Sequence, residues 1–305
     1  MKKNIIIDTD PGIDDAFALA YAFVEERFNI LGISTVSGNN GIDKVTKNAL
    51  RLVRFFGLDL EVYKGLGRPL RREASQGGGE CHGEDGLGGV GQDLDYGQAN
   101  QLPAVDFIIS QAASQKDLTL VALGPLTNIA RAIELDPQAM KNVKEIVSMG
   151  GGIGRGNVTE FAEFNYWADP EAAKLVFDFS IPITMVGLNA TDKSFFSIQE
   201  FEAMRDEGRE LGRLLYEMQK VYTSFYKSWY GIEGCRIHDL LAMMAAIDRD
   251  ILVGQQAGID LSLEDGSQGM TSIRTAGRQN VFVAMDADVE AYKTLFYRKL
   301  LNMKK

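Results

Sequence analysis

Four aspartates crowd the start of the chain: Asp8, Asp10, Asp14 and Asp15, all within DTDPGIDDA (8–16). Carboxylates held this close repel one another, which costs stability unless something positive sits among them. A helix beginning near Asp14 and Asp15 would relieve part of the repulsion through its N-terminal dipole. A cation would relieve the rest, and an all-oxygen donor set suits calcium or magnesium better than zinc. The spacing is not that of an EF-hand loop, so further ligands must come from elsewhere. Asp239, next to His238 and opening an apolar helical run, is the natural candidate. If no metal binds, Asp8 and Asp14 are turn and cap residues.

Other polar residues fall at telling places once the elements around them are read. The run 3–9 (KNIIIDT) reads as a buried strand, 14–26 as a helix, 30–36 as a strand and 42–57 as a helix stopped by Gly57. Runs 118–123, 143–149 and 183–188 continue the strands, with a helix over 128–135. Strands separated by helices imply right-handed crossovers and a mostly parallel sheet. From about Phe195 to Asp248 the pattern turns helical. Strand-like pieces follow near 251–263 and 280–285, with a closing helix at 286–302. The expectation is a single α/β domain spanning residues 1–305: an open, mostly parallel sheet flanked by helices, with a helical insertion in the C-terminal half. Asp8 and Asp10 follow the first strand, Asn39 and Asn40 the second, and Asn189 the strand at 183–188. Open parallel sheets bind ligands beyond the carboxyl ends of their strands, so these residues define one candidate site.

Residues 77–91 contain eight glycines in fifteen positions, too many for a packed element. They form either a surface loop or a mobile lid that carries His82 over a pocket. His82 and His238 are the only histidines, and either could donate a proton or a hydrogen bond.

The bulk composition narrows the partners. A formal charge of −10 and a pI near 4.9 argue against general affinity for nucleic-acid backbone or anionic membrane. At 45% hydrophobic and 24% charged residues, the chain has ample material for a core. MKKNIII is too short an apolar start for a signal peptide, no run reaches transmembrane length, and two cysteines fit a reducing compartment. The expected location is the cytoplasm.

DTDPGIDDA (8–16) resembles the signature of the inosine–uridine-preferring nucleoside hydrolases. VSGNN (36–40), HGEDGLGG (82–89), ALGPLTNIA (122–130), SMGGG (148–152), GNVTEFAEFNYWADPEAA (156–173) and IHDLLA (237–242) are similar to further motifs of that family, in family order. Together they cover nearly the whole chain. The resemblance implies an open α/β fold and a bound calcium ion. Carried over motif by motif, its carboxylate ligands are Asp10, Asp15 and Asp239, and Leu123 offers its main-chain oxygen. Asp14, Asn39, Asn157, Glu163 and Asn165 would bind ribose hydroxyls, with Met149 and Phe164 beside the sugar. A homodimer or homotetramer acting on a small ribonucleoside is implied as well. Two departures stand out: Leu240 and Glu160 occupy positions where proline is common in the family. Neither is a proposed ligand, so they bear on loop geometry.

The chemistry implied is hydrolysis of an N-glycosidic bond, giving ribose and free base by direct attack of a metal-bound water. A cation lowers the pKa of that water and holds two sugar hydroxyls. Asp10 would take the proton as general base. Asparagines suit the sugar because each amide both donates and accepts. His238, or His82, would assist the leaving base. Tyr222, Tyr226, Trp229 and Tyr230 are spaced to share a helix face, as a core stripe or as a wall against which the base stacks. The resemblance favours Tyr226 and Tyr230 as base contacts.

Three rivals remain. Asp8-Thr9-Asp10 after a strand would suit a metal-dependent phosphatase, but the residues that follow depart from that pattern. Cys81-His82 and Cys235-x-x-His238 could meet at a zinc site, although the spacing is not that of a zinc finger. A nucleoside-binding protein without turnover is the third.

Overall fold

The computed structural model describes residues 2–73, 79–92 and 96–301. Its main sheet contains β1 (Lys3–Thr9), β2 (Phe28–Thr35), β3 (Val62–Lys64), β4 (Thr119–Ala122), β5 (Glu145–Met149) and β6 (Ile183–Val186). A separate antiparallel ribbon pairs β7 (Phe195–Ser197) with β8 (Gly234–Arg236). β9 (Leu252–Leu261), β10 (Thr271–Arg274) and β11 (Val281–Ala287) complete the main sheet, whose order is β10-β9-β11-β6-β5-β4-β1-β2-β3. All pairings from β11 to β3 are parallel, and β9 runs antiparallel to both β11 and β10. The sheet is therefore open, mostly parallel, and closed on one side by an antiparallel edge, as expected for an α/β fold.

The order of the strands creates the site. The chain runs outward from β1 through β2 to β3, then returns to the other side of β1 as β4. Strand order thus reverses between β1 and β4, which opens a crevice at their carboxyl ends. Thr9 is level with Thr35 on β2, and Asp8 with Ala122 on β4. The segments after all three strands meet there.

Both faces of the sheet are covered, so its strands read as continuous apolar runs. Ile5 and Ile7 belong to the core on one side, and Ile6, between them, to the core on the other. The helix Ile13–Val24 is apolar nearly all round because every residue from Ile13 to Ala22 is buried. Phe17, at its centre, meets Phe201 edge-on at 5.9 Å and Phe296 at 6.3 Å. Complete burial of such a ring stabilises the fold by about 1.5–3 kcal/mol.

The expected helical insertion comprises Ile198–Glu207 and Arg209–Tyr230, inserted between the two strands of the ribbon. Its first helix starts with a capping box: Ser197 N–H donates to Glu200 Oε2 at 2.8 Å, and Glu200 N–H to Ser197 Oγ at 3.3 Å. Its second ends at Gly231, whose φ of 67° requires glycine. That stop fixes the place of Tyr226 and Tyr230.

Some elements differ from the expectation. β3, β10 and the helices Ala104–Ser114 and Pro170–Asp178 were not expected. β11 extends to Ala287, so the closing helix is shorter, Val289–Leu301. Residues 302–305 lie outside the described residues. Among the described residues no helix is long and apolar enough to cross a membrane.

Candidate active site

Beyond the crevice lies a cavity of about 390 Å³. Its wall includes Asp14, Asn39, His82, Leu123, Met149, Asn157, Glu163, Phe164, Asn165, Tyr226, Tyr230, His238 and Asp239. Residues singled out from distant parts of the sequence therefore share one space. Asp10 and Asp15 are absent from the lining and stand just behind it, both fully buried.

The acidic cluster is built on two helix starts. Asp14 and Asp15 lie in the first turn of Ile13–Val24, and Asp239 in the first turn of His238–Ala245. One oxygen from each comes within 4.8 Å of the others. This trio holds Asp14 beside two of the expected ligands, Asp15 and Asp239. Asp10, the third expected carboxylate ligand, is held from behind the wall. Its Oδ2 accepts the Asn39 N–H at 2.6 Å, which draws that oxygen toward the loop after β2. Its Oδ1 is buried with no hydrogen-bond partner, and so is Asp14 Oδ1. Asp15 is held by Thr9 Oγ1, by Gly12 N–H at 2.9 Å and by the Asn39 amide at 3.2 Å.

Electrostatics follow from this crowding. Burial, then the charge of Asp15, pushes Asp10 and Asp14 well above the usual carboxylate range. Asp239 is pushed up by burial and then by Asp14, Asp15 and Asp10. Such a cluster holds either protons or a cation. Two orphaned carboxylate oxygens among all-oxygen donors fit a hard divalent ion.

The sugar-binding candidates line up beside the cluster. Asn165 Nδ2 donates to Leu123 O at 2.7 Å and to Met149 O at 3.1 Å, so one amide ties the ends of β4 and β5 together. Leu123 O keeps a second lone pair. Glu163 caps the helix Phe164–Ala168 through Asn165 N–H at 2.9 Å and receives Gly151 N–H at 2.8 Å. Burial outweighs these donors and raises its pKa to about 7. Asn157 Oδ1 accepts Phe164 N–H at 2.9 Å, which leaves its amide nitrogen as a donor.

His82 lines the cavity wall. Its Nδ1 accepts Ile13 N–H at 3.0 Å, and its ring stacks on Tyr222 at 5.0 Å. The neutral ring therefore carries its proton on Nε2, which lies 3.9 Å from Asp14 Oδ1. Burial lowers its pKa to about 4 against the charge of Asp15. The glycine-rich loop folds onto the helix Ile42–Phe55: Asn48 Nδ2 donates to both Asp85 O and Pro11 O. Gly83, Gly86, Gly88, Gly89 and Gly91 all take positive φ, which accounts for their number. Gly77 and Gly78 lie outside the described residues.

His238 has both ring nitrogens engaged, Nδ1 with Thr191 Oγ1 at 2.8 Å and Nε2 with Tyr226 Oη at 3.1 Å. Burial, then the nearby positive charge of Arg236, lowers its pKa to about 3. Those contacts disfavour the zinc rival, because neither nitrogen is left to bind a metal beside Cys235. Tyr226 is buried and Tyr230 half exposed at the mouth. Trp229 is 67% exposed and outside the lining, so the expected aromatic face does not extend to it. Asp8 is excluded from the cavity: Ser34 and Asn128 hold its Oδ1, and burial raises its pKa to about 6. The phosphatase rival thereby loses its nucleophile. Asn189 clamps the backbone of Ile153 instead of facing a ligand.

Lining residues not anticipated from sequence include Arg155, Asp192, Arg236 and Phe225. Arg155 borders the quoted stretch 156–173, and Asp192 lies six residues past the end of β6. The strand-end rule could have found Asp192.

The family model described as inosine-uridine preferring nucleoside hydrolase matches residues 5–294. The inosine-uridine preferring nucleoside hydrolase of Crithidia fasciculata is 36% identical over 267 residues, covering 86% of this chain and 84% of that protein. The pyrimidine-specific ribonucleoside hydrolase RihB of Escherichia coli is 35% identical over 266 residues, covering 87% and 85%. A solved plant nucleoside hydrolase superposes with a TM-score of 0.95 at 31% identity, covering 99% of this chain and 100% of that one.

Proposed function

We propose that this chain, which belongs to the inosine-uridine preferring nucleoside hydrolase family, is a calcium-dependent enzyme that hydrolyses ribonucleosides to ribose and free base. One observation carries the reading. A buried, oxygen-only acidic cluster and a row of amide and carboxylate groups share a single cavity. A sugar carbon becoming cationic calls for the first, and its hydroxyls call for the second.

Asp10, Asp15 and Asp239, with the main-chain oxygen of Leu123, would hold the cation, and Asp14 would border it. When bound, calcium supplies Lewis acidity toward the attacking water and two ribose hydroxyls. Asp10 accepts the water's proton at Oδ1, the oxygen that has no partner while Asn39 fixes Oδ2. Asp14, Asn39, Asn157, Glu163 and Asn165 bind and orient the ribose, with Met149 and Phe164 as its walls. The base rests against Tyr226 and Tyr230, with His82 at its side. His238 is uncharged at neutral pH and assists the leaving base through the Tyr226 hydroxyl rather than as a standing acid. Direct attack of water implies inversion at the anomeric carbon. We take the enzyme to work in the cytoplasm in nucleoside salvage, as a homodimer or homotetramer.

Incubation with inosine and with uridine, followed by a reducing-sugar assay, tests the reading. Ribose and free base are expected from both. Tight nucleoside binding without release of sugar would instead make the chain a binding protein.

A further inference from the structure

The cavity wall beside Tyr226 carries charge opposite to that of the acidic cluster. Arg155 follows β5, Asp192 follows the helix Leu188–Thr191, and Arg236 ends β8; all three line the cavity. Asp192 joins the two arginines, its Oδ2 with Arg155 Nη2 and its Oδ1 with Arg236 Nε at 3.4 Å. Arg236 Nε also donates to Asp192 O at 3.3 Å. Two guanidinium groups against one carboxylate leave a net positive charge on this wall. The cluster of Asp10, Asp14, Asp15 and Asp239 lies where β1, β4 and the helix His238–Ala245 converge.

Arg236 is built into the surroundings expected to face the leaving base. Its guanidinium carbon lies 5.8 Å from the centre of the Tyr226 ring, and Tyr226 bonds to His238. Among the described residues its polar contacts are to Asp192 and run through Nε, which leaves both Nη groups as donors. Asp192 holds the side chain half-buried, at 29% exposure.

This arrangement matches the charge that develops as the bond breaks. When the C1′–N bond cleaves, both bonding electrons stay on the base nitrogen, while C1′ becomes cationic and takes the water oxygen. One water proton goes to Asp10, and the departing base takes up a proton from solvent afterwards. Until then it carries negative charge, and a fixed guanidinium is the group suited to hold it.

We propose that Arg236 is a catalytic residue that stabilises the departing base as an anion through its Nη groups, with Arg155 and Asp192 fixing its position. This rests on the hydrolase reading above. The test compares inosine with p-nitrophenyl riboside in full-length, calcium-loaded enzyme carrying Arg236→Met or Arg236→Lys. The nitrophenolate leaves well unaided and needs little help. Arg236→Met is expected to lower kcat for inosine by about 10²-fold. The loss on p-nitrophenyl riboside should stay within about fivefold. Arg236→Lys keeps the charge and should recover most of the loss on inosine. Should Arg236→Met not fold, Arg236→Gln is read in the same way. Equal losses on both substrates, or a Lys variant no better than Met, would overturn the assignment and make Arg236 a merely structural part of the wall. Inactivity of the wild-type enzyme on both substrates would overturn the hydrolase reading itself.

Discussion

At the scale of single residues, Asp10 is closely confined. A Cβ at Gly38 would lie 2.1 Å from its Oδ2, and one at Gly124 would lie 2.5 Å from its Oδ1. Bare backbone on both sides lets the carboxylate sit behind the cavity wall with one oxygen fixed and the other unpartnered. Asp10→Asn keeps this shape and removes the proton acceptor. We expect kcat to fall about 10²-fold or more, with the folded structure intact. Turnover within a few-fold of wild type would assign Asp10 a structural role only. The aspartates, Asn39 and Asp239 were legible in sequence because they stand at strand ends and helix starts, where polar residues are conspicuous. Arg155, Asp192 and Arg236 were not. Their meaning lies in contacts between residues far apart in the chain, 44 positions for Asp192 and Arg236. Taken singly, each looks like any surface charge.

Length and burial made some elements legible and hid others. The helix Ile13–Val24 and the strands beside it have runs long enough to show a period, whereas β3 has three residues and no pattern to read. The bend between that helix and β2 shows what secures an element once formed. Glu25 accepts Arg27 Nε and Nη2, each at 2.8 Å, and pairs with Lys299 at 3.2 Å on the closing helix. Arg27 also reaches Asp248 at 2.6 Å. Burial alone would raise the Glu25 pKa, but hydrogen bonds from Arg27 and Lys299 outweigh it and hold the value near 2. A carboxyl whose folded pKa lies below its unfolded value stabilises the fold above the unfolded pKa, near 4.5. That contribution is lost as pH falls from there toward 2. Because Arg27 is 46% exposed, solvent screening trims it to about 1 kcal/mol. Glu25→Gln should lower stability by this amount at pH 7 and by progressively less in acid. Denaturant melts at pH 7 and pH 3.5 measure the difference, and an equal loss at both would remove Glu25 as the source.

At the scale of the whole molecule, the fold concentrates negative charge that it does not neutralise by itself. The chain carries a formal charge of −10, and the strand reversal at β1 and β4 brings Asp10, Asp14, Asp15 and Asp239 together in its interior. Each carboxylate is displaced toward its neutral form or shares hydrogen bonds with a neighbour, so the cluster is a destabilised feature of the free protein. A calcium ion that binds only the folded chain stabilises it by mass action, by about 4 kcal/mol at a thousand times Kd. Chelation should therefore lower the melting temperature by several degrees and abolish ribose release in the same titration, and added calcium should restore both. Magnesium is smaller and demands near-octahedral geometry, so at equal concentration it should restore less of the melting temperature. Asp239→Asn, which removes a charge from the cluster, should raise the melting temperature of the chelated protein while shrinking the rise that calcium produces. Opposite movements of those two quantities are what a cation site predicts. If chelated protein keeps full activity and the same melting temperature, the cluster works with protons alone and calcium has no part in it.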